Sequence, residues 1–282
     1  MMKQTVKQHH DLGIHRLGRT ACAFLLSALA MLFSTWGTVA AQGADWGALK
    51  GRLVYAGDAG TPKAINVTKD KEFCSKHTLV EEQLVVAADG GLANVFVYLY
   101  LKRGKSVDVH PDYDKLAGKP VVLDNKGCRF EPHAITVYTK QPLEIRNSDE
   151  GIGHNTNAQA LMKNPKFNDL ISNDSPLIKN FKKSEAYPSP FACNVHPWMG
   201  AQVLIRENPY MAISGQDGSF EIKNIPAGKH EFLFWHEASG NMRDLAVGGD
   251  KTSRRGRVKL TVPPGKTLDL GEVKVAPSVL GK

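Results

Sequence analysis

The chain reads as an all-β protein built from a larger β-sandwich and a second, smaller one. Three observations predict this. Apolar and polar residues alternate in short runs, the period of strands that bury one face. Turn-forming clusters separate the runs: Ala88-Asp89-Gly90-Gly91, Asn125-Lys126-Gly127, Gln216-Asp217-Gly218, Pro226-Ala227-Gly228 and Pro263-Pro264-Gly265. Residues 42–282 are more chain than one small sandwich needs, so two β units are expected.

The elements follow in order. A basic stretch with Lys3, Lys7, Arg16 and Arg19 precedes the apolar run Ala21–Phe33, and small residues at Thr38-Val39-Ala40-Ala41 follow it. That is the layout of a secretory signal peptide over residues 1–41, with an apolar part too short to span a bilayer stably. An uncleaved N-terminal anchor is the alternative. No other stretch has membrane-spanning length, so no stable span is expected after cleavage. The mature protein is expected in the periplasm, outside the cell or on its surface.

Candidate strands are Gly51–Tyr55, Leu84–Ala87, Ala93–Leu101, Pro120–Asp124, Ala134–Tyr138, Pro142–Asn147, Ala201–Glu207, Ser219–Ile222, His230–Trp235, Arg257–Thr261 and Thr267–Val275. Helix signals are weak, the best being a turn or two between Asn157 and Leu170. A joint is expected near Arg206–Tyr210, where a strand ends in Glu-Asn-Pro. It divides residues 42–208, with a core at about 93–208, from residues 209–282.

The whole chain carries a net +8. Without residues 1–41, 32 bases face 27 acids, a net of +5. The clusters Lys179/Lys182/Lys183 and Arg254/Arg255/Arg257/Lys259 lack the aromatic interleaving and motifs of a nucleic-acid binder, so no nucleic-acid partner is expected. They suit, at most, the steering of an acidic redox partner. No Ser/His/Asp triad, phosphate-cradling Gly loop or Cys-x-x-Cys-His is present.

Cys193-Asn194-Val195-His196-Pro197-Trp198-Met199 places a thiolate, an imidazole and a thioether within seven residues. Cys and His with a weak Met form the soft ligand set of a mononuclear electron-transfer copper, which needs one further His. His154 is the candidate. A bland alternative pairs Cys193 with Cys74 or Cys128 and leaves His196 on the surface and Met199 in the core. If Cys22 leaves with the signal and Cys193 serves the loop, Cys74 and Cys128 remain as a structural disulfide in an oxidising compartment. A second metal site from His133, His236 and Glu237 is a further option, against the commoner role of hydrogen-bonded histidines.

Phe130-Glu131-Pro132, Ile135-Thr136-Val137, Gln141–Asn147, Asp149 and His154-Asn155 form a series that the Cys-x-x-His-x-x-Met loop closes. This resembles the cupredoxin family, the plastocyanin/amicyanin-like blue copper proteins, over roughly residues 93–208. The resemblance implies a Greek-key β-sandwich with one type 1 copper on Cys193, His154 and His196, and Met199 as the weak axial sulfur. It also implies that Asn155 hydrogen-bonds to the Cys193 loop. Pro197 and Trp198 become the apolar rim where a redox partner docks. The insert 156–192, rich in Lys, Asn and Ser, departs from the family pattern and is expected over the copper end or flank.

In the C-terminal part, Asp217-Gly218-Ser219-Phe220-Glu221-Ile222 and Pro226-Ala227-Gly228 resemble the carboxypeptidase regulatory-like (transthyretin-like, Ig-like) β-sandwich. That motif speaks to fold and hardly to function. Gly51–Tyr55 and Ala93–Leu101 also look like early strands of such a sandwich, which leaves open that the cupredoxin-like portion is inserted within it. The expected function is an exported carrier of single electrons rather than an enzyme. A binding or structural module on the same fold, a copper chaperone and a small copper oxidoreductase are the alternatives.

Overall fold

The structure, a computed structural model, describes residues 46–281. The expected signal segment 1–41, its cleavage point and Cys22 lie outside the described residues.

Two strands come first, β1 (Trp46–Tyr55) and β2 (Phe96–Tyr100). The middle of the chain holds β3 (Val121–Asn125), β4 (Phe130–Glu131), β5 (Ala134–Tyr138), β6 (Leu143–Asn147) and β7 (His154–Asn157). It continues through β8 (Asn168–Ile171), β9 (Leu177–Lys179), β10 (Ser189–Ala192) and β11 (Gly200–Arg206). The last part holds β12 (Met211–Ile213), β13 (Ser219–Pro226), β14 (Gly228–His236) and β15 (Gly240–Asn241). Then come β16 (Ala246–Val247), β17 (Asp250–Lys251), β18 (Arg257–Val262) and β19 (Thr267–Val275). The one α-helical turn among the described residues is α1 (Lys71–Cys74), and short 3-10 turns lie at Pro111–Leu116 and Pro277–Leu280. The protein is all-β, as its alternating pattern predicts.

The middle strands make one sandwich. One of its sheets runs β4-β3-β6-β9 and the other β5-β11-β10-β7-β8. Leu123, Phe130, Ile145, Val137, Phe191, Val203 and Ile205 fill the space between them. The first and last strands make the other sandwich, from β13-β1-β19 and β12-β2-β14-β15 with β18 beside β14. Leu49, Leu53, Val97, Leu99, Phe232, Phe234 and Val273 form its core. A third cluster, Phe96, Tyr98 and Leu233 with Ala134 and Leu204, joins the outer face of the β2/β14 sheet to that of the β5/β11 sheet.

This stacking explains β2. Its sequence Phe-Val-Tyr-Leu-Tyr is apolar at every position because both faces are covered: Val97 and Leu99 face one core, Phe96 and Tyr98 the next. Each such side chain removed from water contributes about 1.5–3 kcal/mol. The Gln216-Asp217-Gly218 turn needs its glycine, since Gly218 has φ 80° and a Cβ there would collide with the Leu53 carbonyl oxygen.

Several expectations are corrected. The chain does not divide consecutively at 208. β1 pairs with β13 and β19, and β2 pairs with β12 and β14, so Ala93–Leu101 belongs with the C-terminal strands and residues 121–206 lie between the two halves of that sandwich. Leu84–Ala87 makes only the isolated bridge Val86↔Leu92. Instead of a helical turn, Asn157–Leu170 holds a ten-residue loop, 158–167, between the paired strands β7 and β8. The insert 156–192 adds β8, β9 and β10 to both sheets of the middle sandwich.

Candidate metal centre

The ligand motif is a hairpin loop. β10 pairs antiparallel with β11 up to Ala192↔Gly200, and residues 193–199 close the turn between them. Inside it the Cys193 N–H donates to the Met199 carbonyl at 3.2 Å and the Met199 N–H to the His196 carbonyl at 2.9 Å. The next strand in the sheet is β7, which begins with His154 and pairs with β10 through Asn157↔Ala192. Sheet order alone therefore brings His154 beside the loop.

Asn155 locks the two segments together. Its Oδ1 accepts the backbone N–H of Asn194 at 2.7 Å and of Val195 at 3.3 Å, and lies 3.4 Å from the Cys193 sulfur. Fixing the backbone on either side of the thiol restricts where the sulfur points.

Cys193 is a free, buried thiol, and its Sγ lies 3.9 Å from Nδ1 of both His154 and His196. The two Nδ1 atoms are 3.1 Å apart. These three separations enclose a point about 2.0 Å from each nitrogen and about 2.3 Å from the sulfur, the ordinary metal–imidazole and metal–thiolate lengths. The three groups thus leave room for one metal ion bound by both nitrogens and the sulfur. Among the described residues, this is the one group of three or more His, Cys, Asp or Glu side chains gathered tightly enough to hold a metal ion.

Both histidines are held from behind by carboxylates. His154 Nε2 meets Asp149 Oδ2 at 2.9 Å, and the Asp149 carboxylate also accepts the Gly127 N–H at 2.5 Å and the Cys128 N–H at 2.8 Å. His196 Nε2 meets Asp70 Oδ2 at 2.8 Å. A carboxylate takes the Nε2–H, which fixes each ring with Nδ1 facing the centre.

The electrostatics follow from these contacts. Burial depresses the His154 imidazole, but hydrogen bonds to Asp149 and the Cys193 sulfur, with their charges, push it up to about 9. Burial raises the Cys193 thiol, and the contacts with His154 and the nearby backbone outweigh it and hold the thiol below its usual range. His196 is lowered by burial and by the neighbouring His154, against the pull of Asp70. The protein alone thus favours a thiolate, the form that binds soft metals.

Met199 is buried in the same core as Cys193. Trp198 turns onto the disulfide: its Nε1–H donates to the Cys128 carbonyl at 3.0 Å, and its ring lies 5.2 Å from that of His196. Pro197 alone of the expected rim is exposed, and His196 is fully buried. Cys74 and Cys128 form the disulfide expected of them. Cys193 is free and His196 buried, so the bland alternative fails for these two residues, while its placing of Met199 in the core holds.

The second metal site is also corrected. His133 Nε2 meets Glu237 Oε2 at 2.6 Å, and its Nδ1 lies 3.0 Å from the Gly200 carbonyl, so both ring nitrogens are engaged. His236 instead accepts the Ala238 N–H at Nδ1. Sequence reasoning placed Asp149 in its ordered series without giving it a role, and missed Asp70. Asp149 lies five residues before His154, a local signal, whereas Asp70 is 126 residues from His196 and carries none.

No known family profile matches the chain, and no curated protein matches it. Among solved structures, a copper-containing nitrite reductase (NirK) from Thermus scotoductus SA-01 aligns at 15% identity and TM-score 0.29, covering 39% of this chain and 25% of the reductase. An oxidized amicyanin mutant aligns at 15% identity and TM-score 0.28, covering 39% of this chain and 98% of amicyanin. The aligned part spans a quarter of the reductase's length. Likenesses of this strength carry no argument for this chain, and the chemistry below rests on the site itself.

Proposed function

We propose that this chain is an exported type 1 copper protein that carries single electrons between redox partner proteins. One observation carries the reading: a buried triangle of two imidazole nitrogens and one cysteine sulfur, sized for a metal between them. The donor set fits copper. The thiolate and imidazoles suit it, and zinc prefers a tetrahedral arrangement without a thioether.

Copper held there supplies a one-electron couple. Cys193 would provide the thiolate, His154 and His196 their Nδ1 atoms, and Met199 its thioether sulfur as a weak further donor. The chain's part is to keep these groups still. Asp149, Asp70 and Asn155 orient them, and the sandwich core around Cys193 and Met199 excludes water. Each cycle takes one electron from a donor and gives one to an acceptor, with no bond made or broken. The burial of His154, Cys193, His196 and Met199 favours a carrier over an enzyme, because a substrate has no open approach to the ligands. The signal-like segment 1–41 and the disulfide support export to an oxidising compartment. Exposed Pro197, beside His196, is the place for a partner to dock.

The visible spectrum of the Cu(II)-loaded mature protein tests the reading. An intense thiolate-to-copper band is expected, and Cys193→Ala abolishes it. A colourless wild-type protein with unchanged fold refutes the carrier.

A further inference from the structure

We propose that Asp70 is a positioning residue for the metal centre: it holds the His196 ring with Nδ1 on the metal and biases the centre toward the oxidised state. This rests on the copper reading above and adds a residue that the ligand motif does not contain.

The geometry leaves Asp70 a defined task. His196 is fully buried, and its Nδ1 is committed to the triangle with His154 and Cys193. Its remaining nitrogen, Nε2, meets the Asp70 carboxylate at 2.8 Å. A ring hydrogen-bonded to a carboxylate at one nitrogen keeps the other free of a proton and makes it a better donor. A nearby negative charge stabilises a doubly charged ion more than a singly charged one, so it favours Cu(II) over Cu(I). The Asp70 side chain is 34% exposed, so solvent screens part of that charge.

Asp70 is also built into place. It has φ 45° and ψ 46°, a left-handed conformation at the start of α1. Its carbonyl accepts the N–H groups of Phe73 at 3.0 Å and Cys74 at 2.9 Å. Cys74 is bonded to Cys128, and the Cys128 N–H donates to Asp149, the carboxylate that holds the other ligand histidine. One covalent bridge therefore ties down the backbone of both carboxylate–histidine pairs. The Trp198 indole, hydrogen-bonded to the Cys128 carbonyl, closes the space beside His196.

The test uses two substitutions that the left-handed backbone tolerates, Asp70→Asn and Asp70→Gly, in the mature protein. Asp70→Asn keeps the shape and removes the charge. It is expected to keep the thiolate band while Cu(II) affinity falls about tenfold relative to Cu(I), a rise in reduction potential of about 59 mV. Asp70→Gly removes the hydrogen bond. Proton–nitrogen NMR of the histidine rings should show a protected His196 Nε2–H in the wild type and its loss in Asp70→Gly, in the metal-free and Cu(I) proteins alike. An unchanged potential in Asp70→Asn together with an unchanged His196 signal in Asp70→Gly overturns the proposal. A wild type without a thiolate–copper band overturns the copper reading instead, and the metal-free NMR comparison then decides whether Asp70 positions His196.

Discussion

Replacing Asp149 by Asn changes one atom in a side chain that is 3% exposed and accepts hydrogen bonds from three donors. An ionised carboxylate is acceptor-only, and an amide is half donor. With its NH2 in place of Oδ2, the amide would confront both Cys128 N–H and His154 Nε2–H. Flipped, it confronts only Gly127 N–H, so the variant settles there with that half-buried N–H facing an NH2, at about 1–3 kcal/mol. The two surviving bonds lose their charge assistance, about 1 kcal/mol each. The sum is about 3–5 kcal/mol, which for a protein of this size lowers Tm by about 6–20 °C. Thermal unfolding of metal-free wild type and Asp149→Asn, followed by circular dichroism, measures it. Copper affinity should also fall about 10-fold, because the surviving bond from His154 loses its charge assistance and orients the ring less firmly. A Tm shift under about 2 °C would mean that Asp149 is not the shared acceptor, and the reasoning fails.

Three further outcomes are expected. Met199→Leu should keep the thiolate band and raise the reduction potential, since the weak donor to the oxidised metal is gone and the swap conserves volume; outright loss of copper binding refutes the axial role. The Cys74–Cys128 bridge spans 54 residues, and the double serine variant should lose about 4 kcal/mol, or about 8–16 °C in Tm; thiol titration of denatured, metal-free mature protein should find one free thiol before reduction and three after. The His133–Glu237 pair joins the two sandwiches, with His133 raised above its usual 6.5 by Glu237 and Glu82 against the larger opposing effect of burial. Glu237 is held below its usual 4.5 by His133 and Gln202, again against burial, while burial raises Glu82. The His133 contribution is complete below about pH 6.5 and is lost as pH rises through its raised pKa, and that of Glu237 is complete above about pH 4.5 and is lost as pH falls. The Tm difference between wild type and Glu237→Gln should therefore be greatest between those values and shrink at alkaline pH; a difference that stays the same from about pH 6 into the alkaline range refutes the pairing.

What the sequence reveals tracks how local each signal is. Ala134–Tyr138 and Thr267–Val275 match their strands residue for residue, the first a short β-branched run buried on both faces, the second alternating toward a core at its end and bounded by turn residues. Cys193 and His196 are legible because one loop carries both. β7 is not legible: His154, Asn155 and Thr156 are all buried yet polar, and the hydrogen bonds that hold the His154 and Asn155 side chains are marked by no hydropathy pattern. The affiliation of β2 is half legible: Ala93–Leu101 looks like an early strand of the C-terminal sandwich, which it joins, but an apolar run covered on both faces does not itself decide between the two sandwiches. Asp70 is the extreme case, a carboxylate in a loop whose role exists only through contacts made across the fold.

The attachment of a second sandwich has a structural answer in that loop. The chain leaves β1 at Tyr55 and returns at the same place, where the Tyr55 N–H donates to the Gly90 carbonyl and the Leu92 N–H to the Leu53 carbonyl, both at 2.9 Å. Between these points runs an excursion that belongs to neither sheet of its own sandwich. It carries Ile65, Val67, Phe73 and Leu79 onto a small core around the disulfide, and Trp198 from the metal loop packs against that same core. Its Asp70 then seals His196. The outer sandwich thus supplies the cover that a lone middle sandwich would lack. Loss of the excursion would expose His196 and remove one of the two carboxylates behind the ligand histidines. The two sandwiches are coupled at the metal centre by one disulfide and one hydrogen bond, which makes residues 56–90 part of the site although every ligand lies beyond residue 150.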